Sequence, residues 1–158
     1  MKGLFDGQQL TILGSLAVAM LLGGLIGFER EMAAKPAGFR THMLVAGAAA
    51  LLVALARILV TQFGQEFTGT LIRSDPIRIL EAITVGVSFI GAGTIIRNGR
   101  AASVEGLTTA SSLLFTAGIG ACVALSQWLL GLGATLLALL ALRLIRTLEA
   151  GIKRKKPD

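Results

Sequence analysis

The chain has 158 residues, of which 54% are hydrophobic and 15% are charged, and its mean hydropathy is +0.77. These values lie outside the range of ordinary soluble domains and indicate an integral membrane protein. The net charge of +6 comes without aromatic platforms or a basic recognition helix, so we expect no binding to nucleic acid.

Five apolar stretches are long enough to cross a bilayer, because about 20 residues of helix span roughly 30 Å of hydrocarbon. They cover residues 9–28, 41–60, 77–96, 104–125 and 128–147. The sequence therefore predicts an all-α membrane bundle of about five transmembrane helices. We expect one domain over residues 1–150, a basic cytoplasmic tail at 151–158 and no soluble C-terminal domain.

Lysine and arginine are distributed unevenly between the two sides of this predicted bundle. Positive residues near span ends are retained in the cytoplasm. We therefore expect the N-terminus outside and the C-terminus inside, with anionic lipid headgroups attracting the terminal KRKK cluster. The basic residues on the predicted inner side are Arg30, Lys35, Arg40, Arg97, Arg100, Arg143, Arg146, Lys153, Arg154, Lys155 and Lys156.

The end of the first span combines small residues with charges. Gly23 and Gly27 have the spacing that lets another helix backbone approach closely. Glu29 and Arg30 follow at the membrane boundary, and Arg40 lies beyond the next turn. One interpretation is an interfacial charge cluster that fixes the turn. In the other, Glu29 faces the bundle and pairs with Arg40 or offers its carboxylate to a cation.

The third span begins with a second group of charged residues. Asp75 suits an N-cap and Pro76 suits the first helical position. Arg78 and Glu81 are three residues apart and can pair on one helix face. The alternative is a Mg²⁺ site on Asp75 and Glu81, because magnesium keeps its waters and is usually held by one or two carboxylates. The pattern leaves both interpretations open.

Glycine is frequent in the second half of this span, at Gly86, Gly91 and Gly93. Such density favours close helix packing, or else a local break in the helix that protein or water must satisfy. The pattern predicts packing more strongly than a break.

In the fourth span, small residues recur at every fourth position, at Thr108, Ser112, Thr116, Gly120 and Ala124. They share one helix face, so that face is expected to meet another helix. The partner is either the third span or the symmetry mate of a homodimer. A pore lined by the hydroxyls is the remaining alternative.

One histidine and one cysteine are present, so there is no intramolecular disulfide and no zinc or haem motif. We expect His42 to be an interfacial residue at a span end and Cys122 to be a packing residue. No nucleophile and base occur at a plausible spacing, so we do not expect an enzyme.

Four blocks occur in the order GGLIGFERE, KPAGFRTHMLVAGAAALL, DPIRILEAITVGVSFIGAGTIIR and VEGLTTASSLLFTAGIG. Together they cover roughly residues 23–120 and resemble the MgtC/SapB family of bacterial inner-membrane proteins. The resemblance implies a five-span domain associated with growth in low magnesium, with virulence inside phagocytes and with restraint of the F-type ATP synthase. It implies no cofactor other than Mg²⁺.

The family pattern can be transferred position by position, and this adds Thr109 to the candidates. Three positions depart from many relatives, which have Gln at Ala82, a second Gly at Ser88 and Leu-Trp at the Leu-Leu pair 113–114. The matched positions are Glu29, Arg30, Gly38, Arg40, Thr41, Asp75, Pro76, Arg78, Gly86, Phe89, Gly91, Ala92, Gly93, Gly106, Leu107, Thr108 and Thr109.

Two functions are consistent with the sequence. The first is a non-enzymatic regulatory or binding module of the inner membrane that supports magnesium or cation homeostasis, as a homodimer or with another membrane complex such as the ATP synthase. The second is a Mg²⁺ or other cation transporter that uses the boundary carboxylates.

Overall fold

A computed structural model describes residues 7–66, 76–97 and 104–153. Within these ranges the chain forms five α-helices, as predicted. Their bounds are α1 Gly7–Met32, α2 Phe39–Glu66, α3 Pro76–Gly93, α4 Leu107–Ala124 and α5 Trp128–Lys153. Two-residue strands, β1 (Ile96–Arg97) and β2 (Val104–Glu105), pair antiparallel between α3 and α4.

Among the described residues, three helices are long and apolar enough to cross a membrane: Gly7–Met32, the part of α2 at Phe39–Gln62, and Leu107–Ala124. The part of α5 at Trp128–Leu144 is a shorter apolar stretch. Large apolar side chains lie exposed on the outer faces, with Phe89 at 83% and Leu129 at 87% exposure. An apolar surface of this kind fits a bilayer, because lipid rather than water surrounds it.

The predicted ends of the third and fourth spans differ from the observed ones. Helix α3 ends at Gly93 because the backbone N–H and the hydroxyl of Thr94 both donate to the carbonyl of Gly91, at 2.9 and 2.7 Å. Helix α4 begins after Gly106, whose φ of 91° is left-handed and therefore favours glycine. Three of the four strand residues, Ile96, Val104 and Glu105, lie where the apolar pattern had predicted helix.

The turn between α1 and α2 is closed by a side chain. The Glu31 carboxylate accepts a hydrogen bond of 2.8 Å from the backbone N–H of Phe39, the first residue of α2. A negative charge at this position also interacts favourably with the positive end of the α2 dipole. The turn thereby fixes the start of α2 beside the last turn of α1.

Helix α4 is the centre of the bundle and packs against α1, α2, α3 and α5. Of its membrane-length window 56% is buried, compared with 33% for α1 and 39% for α2. Helix α3 also packs on α2, and α5 also packs on α1. The core therefore lies where α1, α2 and α4 meet.

The backbones of α1 and α2 approach closely because glycine provides the space. A Cβ added at Gly23 would lie 2.6 Å from the carbonyl oxygen of His42, and one added at Gly27 would lie 2.8 Å from that of Gly38. In a membrane such contacts supply the association energy, because lipid is as apolar as the side chains.

The small face of α4 does not meet the helix that the sequence suggested. We expected α3 or a second copy of the chain, but α1 and α2 cover this face. Gly120 lies directly against the backbone of Ala46, and Thr116 approaches Gly23. The reason is complementary size, since α2 presents its own alanines there, Ala46, Ala49 and Ala50, which are buried.

The glycines of α3 behave differently from one another. Gly91 is buried and packs on Ala110 of α4, at 3.2 Å from the position of an added Cβ. A Cβ added at Gly86 or Gly93 would meet nothing within 4 Å, so neither makes a close helix contact among the described residues. Only Gly91 therefore permits close approach of α3 to α4.

Candidate functional site

Buried polar side chains gather at the end of the bundle that holds the α1–α2 turn. They come from the last turn of α1, the first turn of α2 and the first two turns of α4. We call this group the polar cluster, and it consists of Glu29, Arg30, His42, Thr109 and Ser112.

Glu29 and Arg30 form a buried ion pair on α1. Each residue is only 3% exposed, and Oε2 of Glu29 accepts from Nε of Arg30 at 2.6 Å and from Nη2 at 2.5 Å. Oε1 of Glu29 is buried and has no hydrogen-bond partner among the described residues. Burying two charges is costly, so the pair holds only because each charge compensates the other. Arg40, the partner that the sequence suggested, is exposed.

His42 connects α2 to α4. Its side chain is fully buried, Nδ1 lies 2.9 Å from the carbonyl oxygen of Gly38, and Nε2 lies 3.0 Å from Oγ of Ser112. A buried polar side chain must find partners, and both ring nitrogens have one. Gly27 makes this position possible, because a Cβ there would lie 2.9 Å from Cβ of His42.

The hydroxyls of α4 have different surroundings. Ser112 donates to the carbonyl of Thr109 at 2.8 Å, and Thr116 donates to that of Ser112, also at 2.8 Å. The hydroxyl of Thr109 is buried without a partner in the part of the chain that the structure describes. Thr108 is exposed. The cluster therefore holds two unpartnered oxygen atoms, one on Glu29 and one on Thr109.

An open cleft of about 400 Å³ lies between α1, α4 and α5 and reaches the cluster. Its polar wall consists of Thr108, Ser111 and Ser112, while Ile26, Phe115 and α5 side chains supply apolar walls. We call it the α4 cleft. Because Ser112 bonds to His42, the cleft gives the buried imidazole a route to the surface.

Of the two carboxylates that the sequence proposed for magnesium, Asp75 lies outside the described residues, so the structure describes Glu81 alone. Glu81 and Arg78 are both exposed and form no ion pair with each other. Over residues 7–66, 76–97 and 104–153, no three His, Cys, Asp or Glu side chains come close enough to hold a metal ion.

Arg57 marks the opposite end of the core. Its Nη1 donates to the carbonyl of Ala124 at 3.0 Å, at the C-terminus of α4. The last carbonyls of a helix lack intrahelical donors, and a cation there also interacts favourably with the helix dipole. Arg57 therefore ties α2 to α4 at this end, as His42 does at the other.

Sequence reasoning named four of the five residues of the polar cluster and missed His42. It placed His42 at the interface because the residue is the last polar side chain before a long apolar run. The available signal was the buried register of α2, since His42 precedes Ala46, Ala49, Ala50 and Val53 on one helical face.

Membrane-length helices around a buried polar cluster define a polytopic helical membrane protein. The chain belongs to the MgtC family, whose sequence pattern matches residues 16–150. This confirms the family resemblance drawn from the four sequence blocks.

Three relatives illustrate the similarity. SrpB of Synechococcus elongatus is 35% identical over 151 residues, which cover 91% of this chain and 80% of SrpB. MgtC of Salmonella typhimurium is 39% identical over 132 residues, covering 84% of this chain and 51% of MgtC. YhiD of Escherichia coli, a proposed magnesium transporter, is 34% identical over 140 residues, covering 89% of this chain and 63% of YhiD.

The chain thus spans about half to two thirds of the length of MgtC and YhiD. No solved structure matches it.

Proposed function

We propose that the chain is a multi-pass protein of the bacterial inner membrane that supports magnesium homeostasis by binding other membrane components, without catalysing a reaction. The packing of α4 is the observation that supports this proposal. Ser112 and Thr116 are buried on the face that α1 and α2 close, and their hydroxyls are bonded to backbone carbonyls. Hydroxyls that are bonded to the backbone and packed against α1 and α2 suit a rigid binding module better than a pore.

The link to magnesium rests on the family. Its relative YhiD is a proposed magnesium transporter, and the family resemblance implies growth in low magnesium. The partners that we propose are a second copy of the chain and a membrane complex such as the F-type ATP synthase. The exposed apolar faces of α3 and α5, which carry Phe89 and Leu129, offer surface for such contacts within the bilayer.

The test compares growth with flux. A strain that lacks the protein is grown in low magnesium with the wild-type chain restored, and the purified protein is placed in liposomes that enclose a magnesium indicator. The proposal expects restored growth without magnesium entry, together with capture of a defined membrane complex from native membranes. Magnesium entry into the liposomes, or capture of nothing besides lipid, contradicts it.

A cation carrier is the second candidate, and one observation favours it. Glu81 is exposed about one turn after the start of α3 and is not paired with Arg78, so its carboxylate is available to a cation. The carrier predicts magnesium entry that is lost in Asp75→Asn or Glu81→Gln while both variants remain folded. Equal entry in wild type and variants excludes these two carboxylates from the path.

A further inference from the structure

The hydrogen-bond geometry of His42 is compatible with two different arrangements of hydrogens. Nδ1 faces the carbonyl oxygen of Gly38 at 2.9 Å. A carbonyl can only accept, so Nδ1 carries a hydrogen and donates it. This assignment fixes one side of the ring and leaves Nε2 as the atom whose protonation can change.

Ser112 has one hydroxyl hydrogen but two acceptors within reach. Nε2 of His42 lies 3.0 Å from its oxygen, and the carbonyl oxygen of Thr109 lies 2.8 Å away. If Ser112 donates to Nε2, the imidazole is neutral. If Ser112 donates to Thr109, then Nε2 must carry a hydrogen and donate to Ser112, which makes the ring an imidazolium. Both states are fully hydrogen-bonded, and the addition of one proton together with a rotation of the Ser112 hydroxyl converts the first into the second.

The charges around the ring come from α1 and from α2 itself. Burial disfavours an imidazolium at His42, and the positive charge of Arg30 on α1 does so as well, while Glu29 is paired with Arg30. Arg40 on α2 and Glu31 at the end of α1 are exposed. Helix α4 contributes no Asp, Glu, Lys, Arg or His to this end. Glu105, just before α4, is exposed. Among the described residues, Glu29 is the buried carboxylate at this end of the bundle.

Glu29 has capacity to offset an added positive charge, because its buried Oε1 has no hydrogen-bond partner among the described residues. A buried carboxylate oxygen without a donor is costly and needs a source of positive potential. An additional positive charge within the cluster supplies it. The unpartnered oxygen of Glu29 is therefore compatible with an added positive charge in the cluster.

The α4 cleft supplies the route. Its volume of about 400 Å³ has room for several water molecules, since each occupies roughly 30 Å³ in the liquid. Thr108, Ser111 and Ser112 line one wall with hydroxyl oxygens that can accept hydrogen bonds from water. Ser112 belongs both to this wall and to the bond with His42.

We propose that His42 is a proton-binding site, reached through the α4 cleft and relayed by Ser112. A hydronium ion in the cleft gives a proton to the oxygen of Ser112 and becomes water, while the original hydroxyl hydrogen of Ser112 passes to the lone pair of Nε2. One O–H bond of serine breaks and one forms. The new hydroxyl hydrogen then turns to the carbonyl of Thr109, the oxygen of Ser112 accepts from Nε2–H, and the ring gains one positive charge.

The single histidine makes this site directly observable. The protein is labelled with ¹⁵N-histidine, placed in lipid nanodiscs and followed by NMR during acidification. The ring signals are expected to change reversibly from the neutral form with hydrogen on Nδ1 to the doubly protonated form between about pH 8 and pH 4, a range that brackets the ordinary titration of histidine. A ring that remains neutral throughout in folded protein overturns the proposal, as does a neutral form with hydrogen on Nε2.

Two variants test the parts assigned to Ser112 and Glu29. Ser112→Ala removes the hydrogen-bond partner of Nε2 and should shift the midpoint of the His42 titration. Ser15→Ala, at the other end of the bundle, should leave this midpoint unchanged. Glu29→Gln should move the midpoint to lower pH by more than Glu31→Gln does, because Glu31 is exposed. Midpoints equal to wild type in Ser112→Ala and Glu29→Gln contradict the proposed roles.

A third variant keeps the proposal testable if those changes prevent folding. Ala138→Trp fills the α4 cleft from α5 without substituting any residue of the cluster. Exchange of the ring hydrogens with solvent deuterium should slow several-fold in this variant while the midpoint stays the same. Exchange at the wild-type rate would show that protons arrive by another route and would contradict the proposal that they pass through the α4 cleft.

Discussion

Gly120 of α4 lies in direct contact with the backbone carbonyl oxygen of Ala46 in α2. No side chain separates the two helices at this point, so their distance is set by backbone atoms. Since α4 is central and α2 borders the polar cluster, this contact helps to determine the position of His42 relative to Ser112.

Gly120→Ala is therefore expected to destabilise the protein. The added methyl group meets the carbonyl of Ala46 and forces the helices apart, at a cost of about 1–3 kcal/mol. The matched control is Gly118→Ala on the same helix, where an added Cβ meets nothing within 4 Å. Thermal unfolding in detergent should show a lower Tm for Gly120→Ala alone, and equal Tm values would show that the contact is not rigid.

A second close approach is expected at Gly27. A Cβ there would lie 2.8 Å from both the carbonyl oxygen of Gly38 and Cα of Phe39, which form the entrance to α2. Gly27→Ala should therefore lower the Tm and change the NMR signals of His42, because the α1–α2 turn must shift. Gly14→Ala on the same helix has open space and should do neither. A shift of similar size in both variants would contradict the packing described.

The ion pair of Glu29 and Arg30 predicts a larger loss of stability for either single change than for the double change. Glu29→Leu leaves Arg30 buried without its ion-pair partner, and Arg30→Met leaves Glu29 buried without its partner. Each change should lower the free energy of unfolding by about 3–5 kcal/mol. The double variant removes both charges and should recover much of that loss. Unfolding free energies of the four proteins form a double-mutant cycle, and purely additive effects would argue against a buried pair.

Ser112→Ala should destabilise the contact between α2 and α4. The change leaves Nε2 of His42 buried without its partner, which costs about 1–3 kcal/mol. Ser15→Ala serves as the control, because Ser15 also bonds to a backbone carbonyl, that of Thr11, but in an exposed setting. In chemical unfolding, Ser112→Ala should have a lower midpoint denaturant concentration than Ser15→Ala. A wild-type midpoint for Ser112→Ala would mean that the bond to His42 does not contribute to stability.

Arg57 should contribute to stability through the end of α4. Arg57→Met keeps an apolar chain but removes the donor to Ala124, with an expected loss of about 1.5–3 kcal/mol for a hydrogen bond to a charged group. Arg78→Met is the control, since Arg78 is exposed and not paired with Glu81. In Arg57→Met, backbone amide hydrogens should exchange faster only in the last turn of α4. Unchanged amide exchange there would show that the bond from Arg57 to Ala124 does not stabilise this helix end.

Much of the fold could be derived from the sequence because its signals are local. Apolar runs of membrane length predict the five helices, and this prediction is confirmed. The small residues at Gly23, Gly27 and Gly120 indicate helix contacts because only small side chains let backbones meet. The membrane class follows from composition, and the family follows from the order of four sequence blocks.

The choice of partners was decided only by the tertiary structure. A small face on α4 shows that a helix packs there but does not say which one, and the fold selected α1 and α2 instead of α3. Likewise, the sequence offered Arg40 as an ion-pair partner for Glu29, but in the folded chain Glu29 pairs with its buried neighbour Arg30.

His42 shows the physical reason for this division. Helical periodicity and charge are properties of neighbouring residues, so the sequence by itself determined the helices and their polar ends. The bond between His42 and Ser112 joins residues 70 positions apart. It forms because Gly27 and Gly120 allow three backbones to approach, and such a contact exists only once the helices have packed.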